Sequence, residues 1–317
     1  MHADAARRRA FFQIHFCVLL WGFTAILGKL ISLAALPLVW WRMLLVSVAL
    51  LLLPRVVRAI RALQTRLLLA YAGIGVLVAL HWVTFYAAIK LANASVAATC
   101  IALGPVFLAV VEPLMQRRGI AWRDLLLGVT MLPGVALVVG GIPDAMWYGV
   151  LIGVLSALLV AIFGSLNKLL VEHADPLAVT SIELGAGTAA LTLLAPLLAL
   201  LLPEQAGVAP WTLPGQQDWL WLALLAFGCT LLPFALSLVA LRQLSAFSAQ
   251  LAVNLEPIYA IALAALIFGE QQEVQWTFYA GAAIVVAGVF LHPLLHRPTG
   301  QPESPEMLAV AESKTLD

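Results

Sequence analysis

The sequence predicts an all-α integral membrane protein of ten transmembrane helices in two inverted five-helix repeats, and three observations carry that expectation. Of its 317 residues 63% are hydrophobic and 10% charged, with a mean hydropathy of +1.02, whereas soluble chains carry about 25% charged residues. Apolar runs of helix length follow one another between short polar or turn-forming segments. Residues of the first half recur in the second at constant offsets.

The runs fall near 11–32, 36–54, 67–89, 94–115, 123–141, 147–170, 176–202, 218–240, 246–268 and 276–294. Each is long enough to cross about 30 Å of hydrocarbon as a helix and too uniformly apolar for a barrel strand. The first continues past Trp21 to Ile31 without a small-residue cleavage site, so it reads as a membrane helix and not as a secretory signal. Pro37 opens the second run, and Lys90 closes the third. The fourth starts on small residues, Ala94 to Ala98, and carries Pro105; the fifth is rich in glycine. The sixth ends at Lys168, Pro176 opens the seventh, and 203–217 is the longest external loop. The eighth is the last run before Arg242. The ninth holds Asn254, Glu256 and Pro257, and the tenth holds Gly281 and Gly288. Residues 298–317 are polar and proline-containing and read as a disordered tail.

The repeat is visible in pairs. Pro105 and Pro257, Ala94 and Ala246, Leu103 and Leu255, Phe107 and Tyr259, and Lys90 and Arg242 all differ by 152, while Lys29 and Lys168, and Pro37 and Pro176, differ by 139. The units are therefore 11–141 and 147–294. Five is an odd number of crossings, so the second copy enters the membrane upside down, as in many secondary transporters. With the N-terminus inside, fourteen Lys and Arg residues fall on the inner side and only Lys29 and Lys90 outside, Arg42 lying within a run. That asymmetry puts both termini in the cytoplasm and the protein in the cytoplasmic membrane.

Composition and motifs exclude several classes. All six aspartates fall in loops, tails or helix ends, which disfavours paired-aspartate metal chemistry. There is no His-Glu-x-x-His zinc motif, no Gly-x-Ser-x-Gly nucleophile turn and no phosphate-cradling loop. No cofactor, metal or nucleic acid is expected. Cys17, Cys100 and Cys229 lie in apolar runs without ligand spacing and read as packing residues.

The polar residues inside the runs are then the candidates for binding. Glu256 stands at mid-depth, where a carboxylate has to be protonated, paired or turned to a wet cavity. Gln250, Asn254 and Pro257 share a helix face; Glu256 joins it only if Pro257 distorts the helix. Arg42, after Trp40 and Trp41, reads either as an interfacial snorkelling side chain or as a carboxylate clamp at the outer mouth. His81, Trp82 and Tyr86 form a ring cluster that faces either an interior or its packing neighbours, with Trp21 a weaker case. Glu183 is expected to pair with a base such as Lys168, and Glu112 with Arg117 or Arg118. Pro105 and Pro257 are expected bends. Gly128, Gly134, Gly140, Gly141, Gly281 and Gly288 allow close helix contacts, either between the halves or in a homodimer.

These residues resemble the EamA-type bacterial members of the drug/metabolite transporter superfamily over residues 14–292. The resemblance rests on Arg42 after an aromatic pair, Ala94 to Ala98, Pro105 and Pro257, the Phe268-Gly269-Glu270 ending, and the pairs Gly134-Val135 and Gly288-Val289. By spacing to Gly128 and Gly281, Arg117 takes the place of Glu270 in the first copy. The resemblance implies a carrier that exports amino acids, other small metabolites or drug-like amphipathic solutes, some members of the family taking substrates up. The expectation is a secondary transporter in which Glu256, Asn254 and Gln250 hold the polar part of a small-molecule solute, with His81, Trp82, Tyr86, Trp21 and Arg42 around it. Glu256 or Glu183 would bind a coupling proton. A channel or a non-transporting scaffold is the alternative.

Overall fold

The computed structural model describes residues 2–117, 119, 126, 133, 134, 137, 138, 140–201, 208–244, 246–253, 255–273 and 275–295. Most of the fifth run, including Gly128, and the 298–317 tail lie outside them. The first half contains α1 (His2–Leu30), α2 (Ala35–Leu51), α3 (Pro54–Arg61), α4 (Thr65–Leu91), α5 (Ala94–Ile101) and α6 (Gly104–Met115). The second contains α7 (Trp147–Leu170), α8 (Pro176–Leu201), α9 (Gln216–Ala223), a π-helical stretch (Leu224–Leu231), α10 (Leu232–Leu241), α11 (Ala246–Val253), α12 (Glu256–Phe268) and α13 (Trp276–Leu295).

Among the described residues six stretches are long and apolar enough to cross a membrane: Ala6–Leu30, Thr65–Leu91, Ala94–Met115, Asp144–Leu170, Pro176–Leu197 and Gln216–Leu241. Leu69, Leu193, Leu220 and Leu266 are exposed on the outside of the bundle, a surface suited to lipid. The expected second run is shorter than its apolar content suggests. It stops at Leu51, and Pro54 starts a helix bent by 92° from it. That helix, α3, exposes Arg55, Arg58 and Arg61 and buries Val56, the amphipathic pattern of a helix lying at an interface.

The fourth and ninth runs are each broken in the same place. Leu103, Val106 and Phe107 donate backbone bonds to Cys100, Leu103 and Leu103; their counterparts Leu255, Ile258 and Tyr259 donate to Ala252, Leu255 and Leu255. Pro105 and Pro257 sit in the first turn of the helix after each break, where a residue without an N–H costs no helical bond.

The helix ends show the inversion. Lys90, which ends α4, donates to the Ile31 carbonyl, so α1 and α4 finish at one face. The start of α7 is there too, since a Cβ on Gly149 would lie 2.8 Å from that of Ala92. At the opposite face Arg242, after α10, reaches the Val171 and Ala174 carbonyls just beyond α7. The first helix of each half thus runs opposite to the other. Packing is reciprocal: α1 lies against α10 and α12, and α7 lies against α4, α5 and α6. Gly134 and Gly281 meet within the chain, a Cβ on Gly281 falling 2.4 Å from the Gly134 carbonyl oxygen, the close approach that small residues allow. We call the face where α1 begins the N-terminal face, and the one where it ends the far face.

Candidate functional site

A cavity of about 120 Å³ lies between the halves. Arg42, Trp82, Ile101 and Glu256 line it at mid-depth, and Asn167, Leu241 and Ala246 line it at the ends of their helices on the N-terminal face. Its wall is largely apolar and aromatic, with Trp21, Phe85, Phe163 and Phe234 among the contributors. Such a lining with a few placed polar groups is the usual composition of a small-molecule site.

Arg42 is not the interfacial side chain that its place after two tryptophans suggests. It lies seven residues into α2, about 10 Å along the axis, and is 2% exposed. Its guanidinium donates to Thr230 Oγ1, to Tyr86 Oη at 2.9 Å and to the Cys229 carbonyl at 3.4 Å. Its Cζ stands 3.9 Å over the Trp82 ring, a cation–π contact that counts for more where water is excluded. Reading the sequence misses Thr230 and Cys229, although it holds a signal for them. Pro233 has no N–H to give the Cys229 carbonyl four residues back, and the helix widens there into its π-helical stretch. Such widened turns gather at functional sites.

Glu256 begins α12 and reaches the cavity. Among the described residues no ion pair within 4.0 Å joins it to Arg42. The guanidinium and the carboxyl group therefore share one low-dielectric space with room between them, and the N-terminal dipoles of α12 add to the field at the carboxyl group. Asn254 lies outside the described residues, and of Gln250 only the position in α11 is described.

The ring cluster divides. His81 lines the cavity with its Nδ1 3.0 Å from the Ser156 carbonyl; a carbonyl only accepts, so Nδ1 carries the hydrogen. Trp82 also lines the cavity. Tyr86 is fully buried behind Arg42, and its ring fits because Gly28 has no Cβ, which would otherwise lie 2.2 Å from Tyr86 Cε1. Trp21 lines the cavity, and its carbonyl accepts from Thr24 Oγ1 at 2.7 Å.

Glu183 does not meet Lys168. Lys168 Nζ donates instead to the Leu241 carbonyl at 2.6 Å, while Glu183 Oε2 accepts from Asn167 Nδ2 at 3.4 Å. Lys168 stands at the end of α7, and its short reach to the end of α10 satisfies a terminal carbonyl. Glu112 accepts from Gln116 Nε2 at 3.1 Å.

A second polar cluster closes the far face. Glu270 is fully buried. It accepts from Lys29 Nζ at 2.8 Å, from the backbone N–H groups of Ala94 and Ser95 at 3.2 and 3.0 Å, and from Ser95 Oγ at 2.7 Å. Asn93 caps the same helix start and donates to Glu273 Oε2 at 3.0 Å. Beside it Asp218 accepts from the Ser32 N–H and hydroxyl. A carboxylate at a helix N-terminus satisfies otherwise orphaned donors, and this one also ties α12 of the second half to α1 and α5 of the first.

The backbone also corrects the register of the repeat. Arg117 and Gly269, 152 apart, both have positive φ, 52° and 69°, and both follow the broken fourth run of their half, Arg117 after α6 and Gly269 after α12. Gly269, not Glu270, is therefore the counterpart of Arg117. Glu270 corresponds to Arg118, which lies outside the described residues.

Comparison with known proteins agrees with this architecture. The sequence model described as the EamA-like transporter family matches residues 9–140 and 147–292. No curated protein matches. A solved structure described as "Crystal structure of protein" is similar over 93% of this chain and 99% of its own, with a TM-score of 0.63 and 14% identity. At that identity the likeness is one of fold. With both halves matched, the chain belongs to the EamA-like transporter family and is a multi-pass membrane protein with two copies of the family's repeat.

Proposed function

We propose that this protein is a secondary carrier that moves a small amphipathic metabolite with a carboxylate, such as an amino acid, across the cytoplasmic membrane by alternating access. The observation that carries this reading is Arg42, held at mid-depth between Trp82, Tyr86 and the Thr230 hydroxyl, in the same apolar cavity as Glu256. Arg42 uses three of its five N–H groups on the protein, and the rest suit a carboxylate. Glu256 suits an ammonium or another cationic end, and the aromatic wall suits the apolar part. Gln250, on the helix before Glu256, and Asn254 are proposed as further polar contacts.

The cavity reaches the N-terminal face while the Glu270 cluster spans the far one. The excess of Lys and Arg on the side of the N-terminus, fourteen against two, supports a cytoplasmic N-terminal face, and the direction proposed is export from a cavity loaded from inside. Residues 11–141 and 147–294 are the two bodies that rock, with 298–317 a cytoplasmic tail.

The test is flux of labelled amino acids and related metabolites in proteoliposomes, with and without a pH gradient. Arg42→Gln and Glu256→Gln are each expected to abolish saturable flux of a solute that the unaltered protein carries, with folded protein still in the membrane. Unchanged flux in both variants would overturn the assignment of the cavity.

A further inference from the structure

We infer that Glu183 and Asn167 form a proton-binding site at the wall of the solute cavity, with Glu183 one side chain behind it, an inference that rests on the carrier reading above. Glu183 is fully buried on α8, which comes so close to α4 that a Cβ on Gly75 would lie 2.1 Å from the Glu183 carbonyl oxygen. One carboxyl oxygen accepts from Asn167 Nδ2. The other, Oε1, and Asn167 Oδ1 are both buried without a hydrogen-bond partner.

Two orphaned acceptors on adjoining side chains share a single remedy. A hydrogen on Glu183 Oε1, donated to Asn167 Oδ1, completes a carboxylic acid–carboxamide pair in which both groups give and receive. The ionised form would leave both buried acceptors without a donor, an arrangement that proteins avoid.

The surroundings supply no cation to replace that hydrogen. From α4, Tyr71 faces the group, and its hydroxyl is given to the Leu170 carbonyl. On α2, Ser47 donates to the Ser181 carbonyl and Arg42 is held at Thr230 and Tyr86. The arginines of α3 are exposed, α10 has no ionisable residue, and Lys168 of α7 and Arg242 after α10 are turned to carbonyls.

Asn167 also lines the cavity, so a proton enters from the N-terminal face through it and binds the Glu183 carboxylate to give the neutral acid. The state seen here is then the protonated one. Release to water occurs when the two halves rock, α4 and α2 of the first half move off α8 and the carboxylate is wetted.

Infrared spectroscopy of the full chain in lipid tests the site without any solute. At neutral pH the unaltered protein is expected to show the carbonyl band of a protonated carboxylic acid that is lost in Glu183→Gln and kept in Glu256→Gln. In Asn167→Ala, which leaves the acid in place, the band should shift towards that of an unbonded carboxyl. A spectrum without such a band, or with one that survives Glu183→Gln and is unmoved in Asn167→Ala, overturns the assignment. For coupling, the amino-acid panel is measured in two modes. Glu183→Gln, whose amide is a fixed stand-in for the acid, should lose acceleration by a pH gradient and keep solute counterflow; acceleration equal to that of the unaltered protein overturns the proposal. Absence of counterflow in the unaltered protein tells instead against the carrier reading.

Discussion

At the far face Lys90 donates to the carbonyl of Ile31, just beyond α1; at the N-terminal face Arg242 donates to that of Val171, just beyond α7. These contacts are the same contact made twice by an inverted repeat. The lysines at the ends of α1 and α7 break the correspondence. Lys29 meets the buried carboxylate of Glu270, whereas the hydrogen bond of Lys168 among the described residues goes to the Leu241 carbonyl. One acidic residue after the left-handed end of α12 therefore makes the far face an ionic junction between halves, while at the N-terminal face the described contacts of Lys168 and Arg242 are cation–carbonyl bonds. The cavity extends toward the face whose described cations meet carbonyls and not a carboxylate.

Breaking the stronger junction should have the largest effect. Glu270→Ala removes the acceptor for Lys29, two backbone N–H groups and the Ser95 hydroxyl, and should destabilise the protein by about 3 kcal/mol in thermal unfolding in detergent. It should also let an impermeant thiol reagent reach an Ile101→Cys variant from the far face; an unreactive cysteine there would show that Glu270 does not hold that face shut. Lys29→Met leaves the carboxylate its other three donors and should cost about 1.5 kcal/mol. Arg117→Gly tests the register of the repeat: it puts at φ 52° the residue found at φ 69° in the second half, and should stabilise by about 1 kcal/mol because only glycine adopts that conformation without strain. Lys168→Met is the smallest change, about 0.5 kcal/mol, and a loss equal to that of Lys29→Met would erase the distinction between the faces.

Much of the architecture is legible in the chain because lipid leaves so few options. Run length, the paired prolines and the odd number of runs per copy lead to inverted helical repeats before any contact is known. The site is legible in part. Glu256, His81 and Trp82 stand out as polar or aromatic residues at depth, and the cavity takes all three. Arg42 reads as interfacial or as a clamp at the outer mouth because Trp40 and Trp41 mark membrane boundaries, yet their indole N–H groups bond to Thr192 and the Thr212 carbonyl, and Arg42 points inward beyond them. Glu183 invites pairing with Lys168 because the two carry opposite charges at similar depth; which neighbour a buried carboxyl touches depends on helix rotation, and Gly75 sets that here.

One-dimensional pattern and the demands of the solvent were enough to dictate the helical class, the duplication and its inversion, and the set of residues too polar for hydrocarbon. Which members of that set meet was left to the packing of the bundle. Glu270 closing on α5, Thr230 holding Arg42 and Asn167 facing Glu183 join positions 175, 188 and 16 residues apart. Their meeting is set by helix rotation and close approach, which depend on every helix of the bundle at once and not on the local chain.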